Sequence, residues 1–436
     1  MTHGRVALAV CLWIAFSTAC APEHEPSLRH AQKTSHRRHS WRWSLPVGDA
    51  GPPDVARIEP DCDRAGCIRS LTEIGSYSKT EIEANIEDGV SIDNGYSVWV
   101  IEYVTGQRTS LATVTIPYPL EPPLAGYPIV VNAHGTSGLD DPCELSNTVY
   151  ATGLAGLFGA RGAIGIAPDG PGLGTPGLAP YLVSEPAGMA VLDAMRAASA
   201  LGELMQVPIS RRYAAVGLSE GGHSVLAAAA LHAAYAPELD VRAFAVAAPA
   251  SVWFEKWQAG IAFDGSGVSS YAMLFYAWAD YYHYTGPSLW TVATASRIDD
   301  VMATACAFDF GGARTTYQQL LGTQAASVFD AAFLTAFRDG SLPPTAARLM
   351  DAFADNRIGP YEQTAPLAIF QGDSDTVVLL DDTTELVHEL QRAGLRVDYH
   401  IVLGGTHTNT AYGFVSQHQV ATEASIQWVF DRLAGD

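Results

Sequence analysis

Positive charge is scarce in this sequence. Lysine and arginine number 25 against 46 aspartates and glutamates, which gives a formal net charge of −21 over 436 residues. Nucleic-acid binding needs a basic face, so this balance argues against that class and predicts a soluble protein without nucleic-acid partners. No internal repeat, no second long apolar run and no Cys/His cluster with metal-ligand spacing is present, and the sequence predicts neither a metal site nor a cofactor. An apolar fraction of 48% with 16% charged residues is instead typical of a large globular protein.

The one long apolar run lies at the N-terminus and is too short to cross a bilayer as a mature helix. It follows Arg5, reads VALAVCLWIAFSTAC and has a signal-peptide pattern, so residues 1–19 are predicted to be removed. Two cleavage sites compete. The triplet ACA fits the small-x-small rule, whereas STAC resembles a bacterial lipobox in which Ser17 replaces the usual leucine. The sequence predicts an exported protein, either a cell-envelope lipoprotein anchored to the membrane through Cys20 or a secreted protein, and we prefer the lipoprotein.

Cysteine usage agrees with export. Of six cysteines, one lies in the signal and Cys20 is consumed by lipidation, which leaves an even set: Cys62, Cys67, Cys143 and Cys306. An even set suits an oxidising compartment, and four cysteines permit three pairings. The short spacing favours Cys62–Cys67, which leaves Cys143–Cys306. The alternative is four reduced, buried thiols.

The body of the chain begins after a polar segment. Residues 20–60 are basic and polar, then rich in proline and glycine, and predict a disordered tether. From about residue 95 strand and helix patterns alternate, which predicts a mostly parallel, doubly wound α/β sheet of about eight strands. The predicted strands are 96–104, 109–117, 127–134, 162–168, 213–218, 242–249, 366–372 and 396–403. The predicted helices between and after them are 184–205, 221–236, 381–394 and 419–435.

A serine stands between two glycines where a predicted strand becomes a helix, in the stretch YAAVGLSEGGHSVLAAAA. Gly217-x-Ser219-x-Gly221 in this setting predicts a nucleophile elbow, in which side chains at the flanking positions would collide with the neighbouring elements. The elbow presents the serine hydroxyl beyond the sheet. It also aims the helix N-terminus and the backbone N–H of Glu220 at a developing oxyanion. The alternative is a glycine-rich packing turn.

Such a serine needs a base and an orienting acid, which follow in the chain order Ser, Asp, His. After the strand PLAIFQG comes GDSDTVV, and after RVDYHIVL comes GGTH. We therefore predict Asp375 as the acid and His407 as the base. Asp373 is the second choice, because a role in hydrogen-bonding the turn suits it better.

The second oxyanion donor is expected in the loop after an early strand. The strand YPIVVNAH runs into GTSG, and the backbone N–H of Thr136 is the predicted donor. His134 is then a packing residue that shapes this loop. His223, in the first turn of the elbow helix, is assigned a structural role because it points down the helix.

Five segments together resemble the secretory lipase family, lipase-A type, of the α/β-hydrolases: AHGTSGLDDPCELS, APDGPGLGTPGLAPYLVSEPAGMAVLDAMRAA, VGLSEGGHSVLAAAA, QGDSDTVV and GGTH. The resemblance runs from about residue 75 to the C-terminus. It implies an α/β-hydrolase fold with Ser219 as nucleophile, Asp375 as acid, His407 as base, and Thr136 with Glu220 as oxyanion hole. It also implies a disulfide between the oxyanion loop and the cap, here Cys143–Cys306.

Residues 250–365 interrupt the core, which the sequence predicts as two parts, 61–249 and 366–436. The insertion holds short amphipathic, aromatic-rich patterns and is predicted to form a helical cap over the site; the alternative is an extra helical layer that only packs the sheet. The predicted substrate wall consists of Tyr276, Trp278, Tyr281 and Tyr282.

These features predict an exported serine carboxylic-ester hydrolase, a lipase or esterase, that acts on small-molecule or lipid esters with apolar acyl groups and needs no metal or organic cofactor. A serine peptidase of the α/β-hydrolase type and an acyltransferase are the alternatives within the same chemistry. A non-enzymatic binding protein on a hydrolase fold is the alternative outside it. That hypothesis predicts a broken triad, and all three triad positions are filled here.

Overall fold

The structure, a computed structural model, describes residues 58, 60–84, 92–146, 148–251, 253–261, 264–308, 314–407 and 419–435. The predicted signal peptide, the lipidation site Cys20 and nearly all of the predicted tether lie outside these residues. Within the described part of the chain, no helix combines the length and apolar character that crossing a membrane requires.

The described residues form one sheet of nine strands in the order β1-β2-β3-β5-β4-β6-β7-β8-β9. The first three strands pair antiparallel and β3 joins β5 antiparallel, whereas all later pairs are parallel. All eight predicted strands are present, and β1 is a ninth that the sequence pattern did not reveal. The predicted α/β architecture is confirmed. The strands are β1 (Ile68–Tyr77), β2 (Gly95–Thr105), β3 (Arg108–Tyr118), β4 (Tyr127–Ala133), β5 (Ile164–Pro168), β6 (Ile209–Leu218), β7 (Asp240–Ala247), β8 (Leu367–Gly372) and β9 (Val397–Val402).

Helices cover both faces of the sheet, as the continuous apolar runs of the inner strands require. The strands IGIAP and LAIFQG are buried along their whole length. One face packs against α3, α4 and α13, and the other against α2 and α14. The helices outside the insertion are α1 (Lys79–Glu83), α2 (Val149–Gly159), α3 (Ser184–Leu204), α4 (Glu220–Tyr235), α13 (Leu380–Arg392) and α14 (Gln419–Ala434).

Between β7 and β8 the chain forms short helices with a hydrophobic core of their own, here called the helical insertion (residues 250–365). The Phe275 ring lies edge-on to three other phenylalanine rings at centroid distances of 5.2 to 6.0 Å. The same core includes Leu139 after β4 and Tyr181 before α3, so the insertion packs on loops at the carboxyl ends of the strands. Its helices are α5 (Phe254–Gly260), α6 (Gly267–Tyr281), α7 (Val292–Ala295), α8 (Ile298–Thr304), α9 (Tyr317–Leu321), α10 (Ala325–Val328), α11 (Ala331–Arg338) and α12 (Ala347–Asn356).

The four cysteines of the described residues form two disulfides, with the pairing that the spacing favours. Cys62–Cys67 closes a short loop before β1, and Cys143–Cys306 joins the loop after β4 to the helical insertion across 163 positions of sequence. Both cysteines of the long-range pair are buried. The insertion is therefore covalently fixed to the segment that follows the predicted oxyanion loop.

Candidate active site

The sharp turn between β6 and α4 carries the candidate nucleophile. Ser219 has φ 59° and ψ −118°, a left-handed backbone conformation that residues with a side chain rarely adopt. Its N–H donates to the Ala247 carbonyl at 3.0 Å, and its carbonyl accepts from the N–H groups of His223 and Ala250, each at 3.0 Å. These bonds hold the strained residue at the carboxyl end of β6, where strand-to-helix turns present a reactive side chain.

The two glycines of the turn allow three elements to approach closely. A Cβ on Gly217 would lie 2.2 Å from the Gly221 carbonyl oxygen, and a Cβ on Gly221 would lie 2.0 Å from the Ala133 carbonyl oxygen. Both colliding oxygens belong to the backbone, which cannot move aside as a flexible side chain does. Only glycine therefore fits at either position without displacing β4 or α4.

The candidate acid is held rigidly in the loop after β8. Asp375 is buried, and its Oδ1 accepts from the N–H groups of Val377 at 2.8 Å and Val378 at 2.9 Å. Its Oδ2 lies 2.8 Å from Nδ1 of His407 and accepts a longer bond of 3.3 Å from Nε2 of Gln371. The carboxylate is thus oriented toward the imidazole by three separate donors from its own loop and strand.

The candidate base, His407, completes this pair from the loop after β9. The His407 side chain is partly exposed, whereas the Asp375 side chain is fully buried. When Nδ1 of His407 carries the proton that bonds Asp375, Nε2 is left as an acceptor, which is the tautomer that a general base requires. Asp373, the second choice for the acid, accepts instead from the Gly404 N–H at 2.6 Å and from the Ser374 hydroxyl at 3.1 Å. It stabilises the turn, the role that the sequence favoured for it.

Backbone hydrogen bonds connect the nucleophile turn to the Asp–His pair. From the residues after β7, the Ala248 N–H donates to the Phe370 carbonyl of β8 at 2.9 Å. The Ser374 N–H donates to the Gly405 carbonyl at 2.9 Å, which joins the loops after β8 and β9. Because β6 to β9 are adjacent and parallel, Ser219, Asp375 and His407 all lie at one edge of the sheet. Ligands of doubly wound sheets bind at this edge.

The predicted oxyanion loop lies against the nucleophile. A Cβ placed on Gly135 would be 3.9 Å from the Ser219 Cβ, so the backbone there passes close to the reacting hydroxyl. The next residue, Thr136, has its hydroxyl 3.2 Å from the Tyr181 hydroxyl. His134 turns both ring nitrogens toward backbone carbonyls, that of Gly135 at 2.6 Å and that of Asp169 at 3.1 Å. It shapes the loop, as expected from the sequence.

A buried carboxylate fixes the segment that continues from this loop. Asp169, after β5, accepts from the N–H groups of Leu145 at 3.1 Å and Ser146 at 3.0 Å. Burial raises the pKa of Asp169 to about 7, against the opposing effects of these bonds and of Arg314. The carboxyl therefore anchors the segment that follows Cys143.

The side chain of His223 contacts the start of α3. It is fully buried, its Nε2 lies 3.2 Å from the Ser184 hydroxyl, and burial lowers its pKa to about 4. Ser184 also donates to the Asn356 carbonyl at 2.9 Å, which links the start of α3 to the end of α12. These contacts support the structural role assigned from the sequence.

The four aromatic residues predicted to line the substrate wall differ in their surroundings. Trp278 is fully buried in the insertion core, where its indole donates to the Tyr181 carbonyl at 3.0 Å. Tyr276 donates to Asp299 at 3.0 Å, Tyr282 accepts from the Asn356 amide at 2.7 Å, and Tyr281 is exposed. Trp278 thus has a packing role in this structure. Substrate contact by these residues stays a prediction.

Three residues that the sequence analysis did not select also shape the site. Gln371 donates to Asp375 and, at 2.9 Å, to the Val378 carbonyl. An amide inside the otherwise apolar strand LAIFQG is a sequence signal that identifies it. Tyr181 meets Thr136, and the Tyr317 hydroxyl accepts from the Leu139 N–H at 3.0 Å. No local pattern marks these two tyrosines, because their partners are remote in sequence.

No group of three or more His, Cys, Asp or Glu side chains among the described residues is arranged to hold a metal ion.

Comparisons with known proteins agree with this fold. The model of the secretory lipase family matches residues 154–264, which include the nucleophile turn. The rice cell wall degrading esterase LipA from Xanthomonas oryzae is 18% identical, with 85% of this chain and 100% of that chain covered at a TM-score of 0.70. Candida antarctica lipase A in its closed state is 15% identical, with 86% and 84% covered at a TM-score of 0.57. At such identities these likenesses show the fold.

No curated protein matches the chain significantly. The family match confirms the resemblance seen in the sequence, and the disulfides together with a secretory family are typical of an exported protein. The chain therefore has the α/β-hydrolase fold and is similar to the secretory lipase family over residues 154–264, and these similarities support a carboxylic-ester hydrolase.

Proposed function

We propose that the protein hydrolyses apolar acyl esters through Ser219, Asp375 and His407, by way of an acyl-enzyme intermediate. The observation that carries this proposal is the 2.8 Å contact between Asp375 Oδ2 and His407 Nδ1, at the sheet edge where the strained serine turn also ends. A buried acid that orients an imidazole beside an elbow serine is the arrangement that nucleophilic acyl transfer needs.

The mechanism has two steps. His407 Nε2 takes the Ser219 proton as the hydroxyl attacks the ester carbonyl, and the imidazolium that forms is stabilised by Asp375. His407 then protonates the leaving alcohol, which leaves an acyl group on Ser219. In the second step water takes the place of the alcohol and the acid is released.

The oxyanion of each tetrahedral intermediate is assigned to two backbone N–H groups, those of Glu220 and Thr136. Glu220 begins α4, so the positive end of the helix dipole adds to its N–H. The loss of one such donor costs about 3 kcal/mol of transition-state stabilisation. The Gly135 backbone close to the Ser219 Cβ supports the assignment of the second donor to this loop.

Substrate preference is assigned to the helical insertion. Its core is aromatic and aliphatic and packs on the loops at the carboxyl ends of the strands, which favours apolar acyl groups over charged ones. We propose that the insertion is a cap bounded by residues 250 and 365, between core segments 61–249 and 366–436. We also propose that the exported protein is anchored to the membrane through a lipidated Cys20. Mass spectrometry of the mature N-terminus tests that step against cleavage at the ACA site.

The decisive experiment measures turnover of p-nitrophenyl esters from acetyl to palmitoyl by the mature protein. Ser219→Ala is expected to fold normally and to lose activity by up to about a million-fold, as in other triad enzymes. The matched control is Ser224→Ala, in the same helix, whose hydroxyl donates back to the Glu220 carbonyl at 3.0 Å. A well-folded Ser219→Ala protein that keeps most of its turnover contradicts the proposal.

The same panel, extended to aminoacyl amides and to alcohol acceptors, separates the alternatives. A maximum at long chains means a lipase, and a maximum at acetyl or butyryl means a carboxylesterase. Faster cleavage of aminoacyl amides than of esters means a peptidase. A transesterified product in the presence of alcohol acceptors means an acyltransferase that shares the first step.

A further inference from the structure

A buried amide lies behind the candidate acid and takes no part in the proton transfers of ester hydrolysis. Gln371 is the last residue but one of β8, and none of its surface is exposed. A polar side chain that is removed from water costs free energy unless its donors and acceptors are bonded. The bonds that this amide makes therefore show what it fixes in place.

The Nε2 group of Gln371 bonds both ends of the loop that carries the acid. It donates to the Gly372 carbonyl at 3.1 Å and to the Val378 carbonyl at 2.9 Å. It also lies 3.3 Å from Asp375 Oδ2, the oxygen that is 2.8 Å from Nδ1 of His407. The Val378 N–H in turn donates to Asp375 Oδ1 at 2.9 Å. The amide thus acts on the carboxylate both directly and through the peptide unit of Val378.

The other end of the amide is held by α13. Thr383, near the start of this helix, donates its hydroxyl to Gln371 Oε1 at 2.7 Å, and both residues are fully buried. With Oε1 facing a hydroxyl donor, Nε2 faces three oxygen acceptors. The reversed amide would place Oε1 against the Asp375 carboxylate and two backbone carbonyls, none of which can donate a hydrogen bond to it. Thr383 therefore fixes the orientation in which the amide supports the acid.

The direction of the Asp375 carboxylate matters because the acid has to be fixed before it can orient the base. In a Ser-His-Asp site the acid holds the imidazole in one tautomer and stabilises the imidazolium that forms. Active residues are held most precisely when a further layer of hydrogen bonds from rigid elements supports them. Gln371 supplies such a bond from a strand, and Thr383 supplies one from a helix.

We propose that Gln371 is a positioning residue for ester hydrolysis. Its amide closes the loop of the acid and keeps the Asp375 carboxylate directed at His407, and Thr383 holds the amide in that orientation. This inference rests on the proposed reaction at Ser219. Neither supporting side chain is exposed, so neither is assigned a contact with substrate. Removal of the amide is therefore expected to lower kcat and to leave KM nearly unchanged.

The test measures kcat and KM of the mature protein on the p-nitrophenyl ester that wild type turns over fastest. Gln371→Met keeps an unbranched side chain of similar length and removes both the N–H donors and the carbonyl acceptor. Because a hydrogen bond to a charged group and the support of Val378 are lost together, we expect kcat to fall by roughly tenfold to a hundredfold. KM should stay within about twofold of wild type, since only the acid is disturbed. Circular dichroism checks that the variant is folded under the assay conditions.

Two adjacent threonines of α13 supply matched variants. Thr383→Val removes the hydroxyl that bonds Gln371 and is expected to lower kcat by about threefold to tenfold, since the Nε2 bonds remain. Thr383→Ser keeps the hydroxyl and should recover most of that loss. Thr384→Val is the control: the hydroxyl that it removes lies 2.8 Å from the Tyr399 hydroxyl on β9, and kcat should be unchanged. The threonine variants keep the test valid if Gln371→Met does not fold.

A combination with Asp375→Asn separates positioning of the acid from a general structural role. If Gln371 acts through the acid, Gln371→Met should cost little further activity in the Asp375→Asn protein, where the imidazole already has the wrong tautomer. An amide that only stabilises the fold would lower kcat by the same factor in both backgrounds.

The outcomes distinguish this inference from the proposed function. Ser219-dependent turnover in wild type together with an unchanged kcat in a folded Gln371→Met protein overturns the positioning role alone. Equal kcat values in Thr383→Val and Thr384→Val, or the same factor of loss with and without Asp375→Asn, overturn it as well. A wild-type protein without Ser219-dependent turnover overturns both.

Discussion

The two disulfides close loops of very different length, and this difference gives a quantitative prediction for stability. Cys143–Cys306 spans 163 positions and Cys62–Cys67 spans 5. If a cross-link acts by removing loop-closure entropy from the unfolded chain, the long loop is worth about 5 kcal/mol and the short loop about 2 kcal/mol. Each pair is replaced by two alanines, because buried serines at the long-range pair would add unpaired hydroxyls.

The assay is urea unfolding of both double-alanine proteins and of wild type, with the free energy of unfolding extrapolated to water. We expect the free energy of unfolding to fall by about 3 kcal/mol more for Cys143/Cys306 than for Cys62/Cys67. Equal losses, or a larger loss for the short loop, would refute the entropic reasoning. The short-loop variant is the matched control, since it also removes two cysteines from the folded body.

Activity should separate the two variants further. The long-range disulfide lies beside two bonds that join the oxyanion loop to the insertion: Ala307 N–H to the Ser137 carbonyl at 2.8 Å, and Leu139 N–H to the Tyr317 hydroxyl at 3.0 Å. Loss of the cross-link loosens this attachment, so kcat is expected to fall in that variant. The Cys62/Cys67 variant should keep its kcat under conditions where both proteins are folded. An equal kcat in the two variants would show that the attachment does not matter for catalysis.

Three further predictions follow from the site. Asp375→Asn should lower kcat by about ten-thousandfold through the wrong His407 tautomer, whereas Asp373→Asn should stay within tenfold; equal losses in steady-state assays would contradict the assignment of the acid. Gly221→Ala places a Cβ 2.0 Å from a backbone oxygen, and should cost about 1–3 kcal/mol in thermal or urea unfolding and most of the activity. Burial raises the pKa of Asp169 to about 7 from an ordinary value of 3.8, so the folded state binds this proton more tightly than the unfolded chain. The free energy of unfolding should therefore fall as pH rises from about 4 to about 7, and Asp169→Asn should reduce that slope in urea titrations.

The sequence predicted those strands whose burial produces a recognisable pattern of apolar residues in the sequence. The inner strands of the sheet are continuous apolar runs, and β2 and β3 are largely buried along their length. The missed strand, β1, is an edge strand with mostly exposed side chains, and its pairing with β2 has two register shifts. Its sequence, IRSLTEIGSY, therefore shows no regular alternation. A mostly exposed, bulged edge strand is stabilised by pairing with its neighbour, which a local pattern does not reveal.

The residues of the candidate site likewise fall into those that a sequence pattern predicts and those that it does not. Ser219 and its flanking glycines can be predicted from the sequence because the elbow imposes strict steric limits on adjacent positions. Asp375 and His407 follow strands in the expected order, so topology alone brings them to one edge. The Tyr317 hydroxyl meets the Leu139 N–H across 178 positions of sequence. Contacts of this kind depend on how the insertion packs, and no spacing rule predicts them.

These contacts also explain why the two halves of the site should respond differently to changes in the insertion. The Asp375 carboxylate is oriented by donors from β8 and its own loop, and its imidazole partner follows β9. The oxyanion loop is instead attached to the insertion through Cys143–Cys306 and Tyr317, and Asp169 binds the N–H groups of the segment that follows Cys143. Disturbing the insertion should therefore weaken stabilisation of the oxyanion while the base remains correctly oriented. Because catalysis by differential binding depends on donors being in place as charge develops, we expect the insertion to contribute to rate as well as to substrate choice.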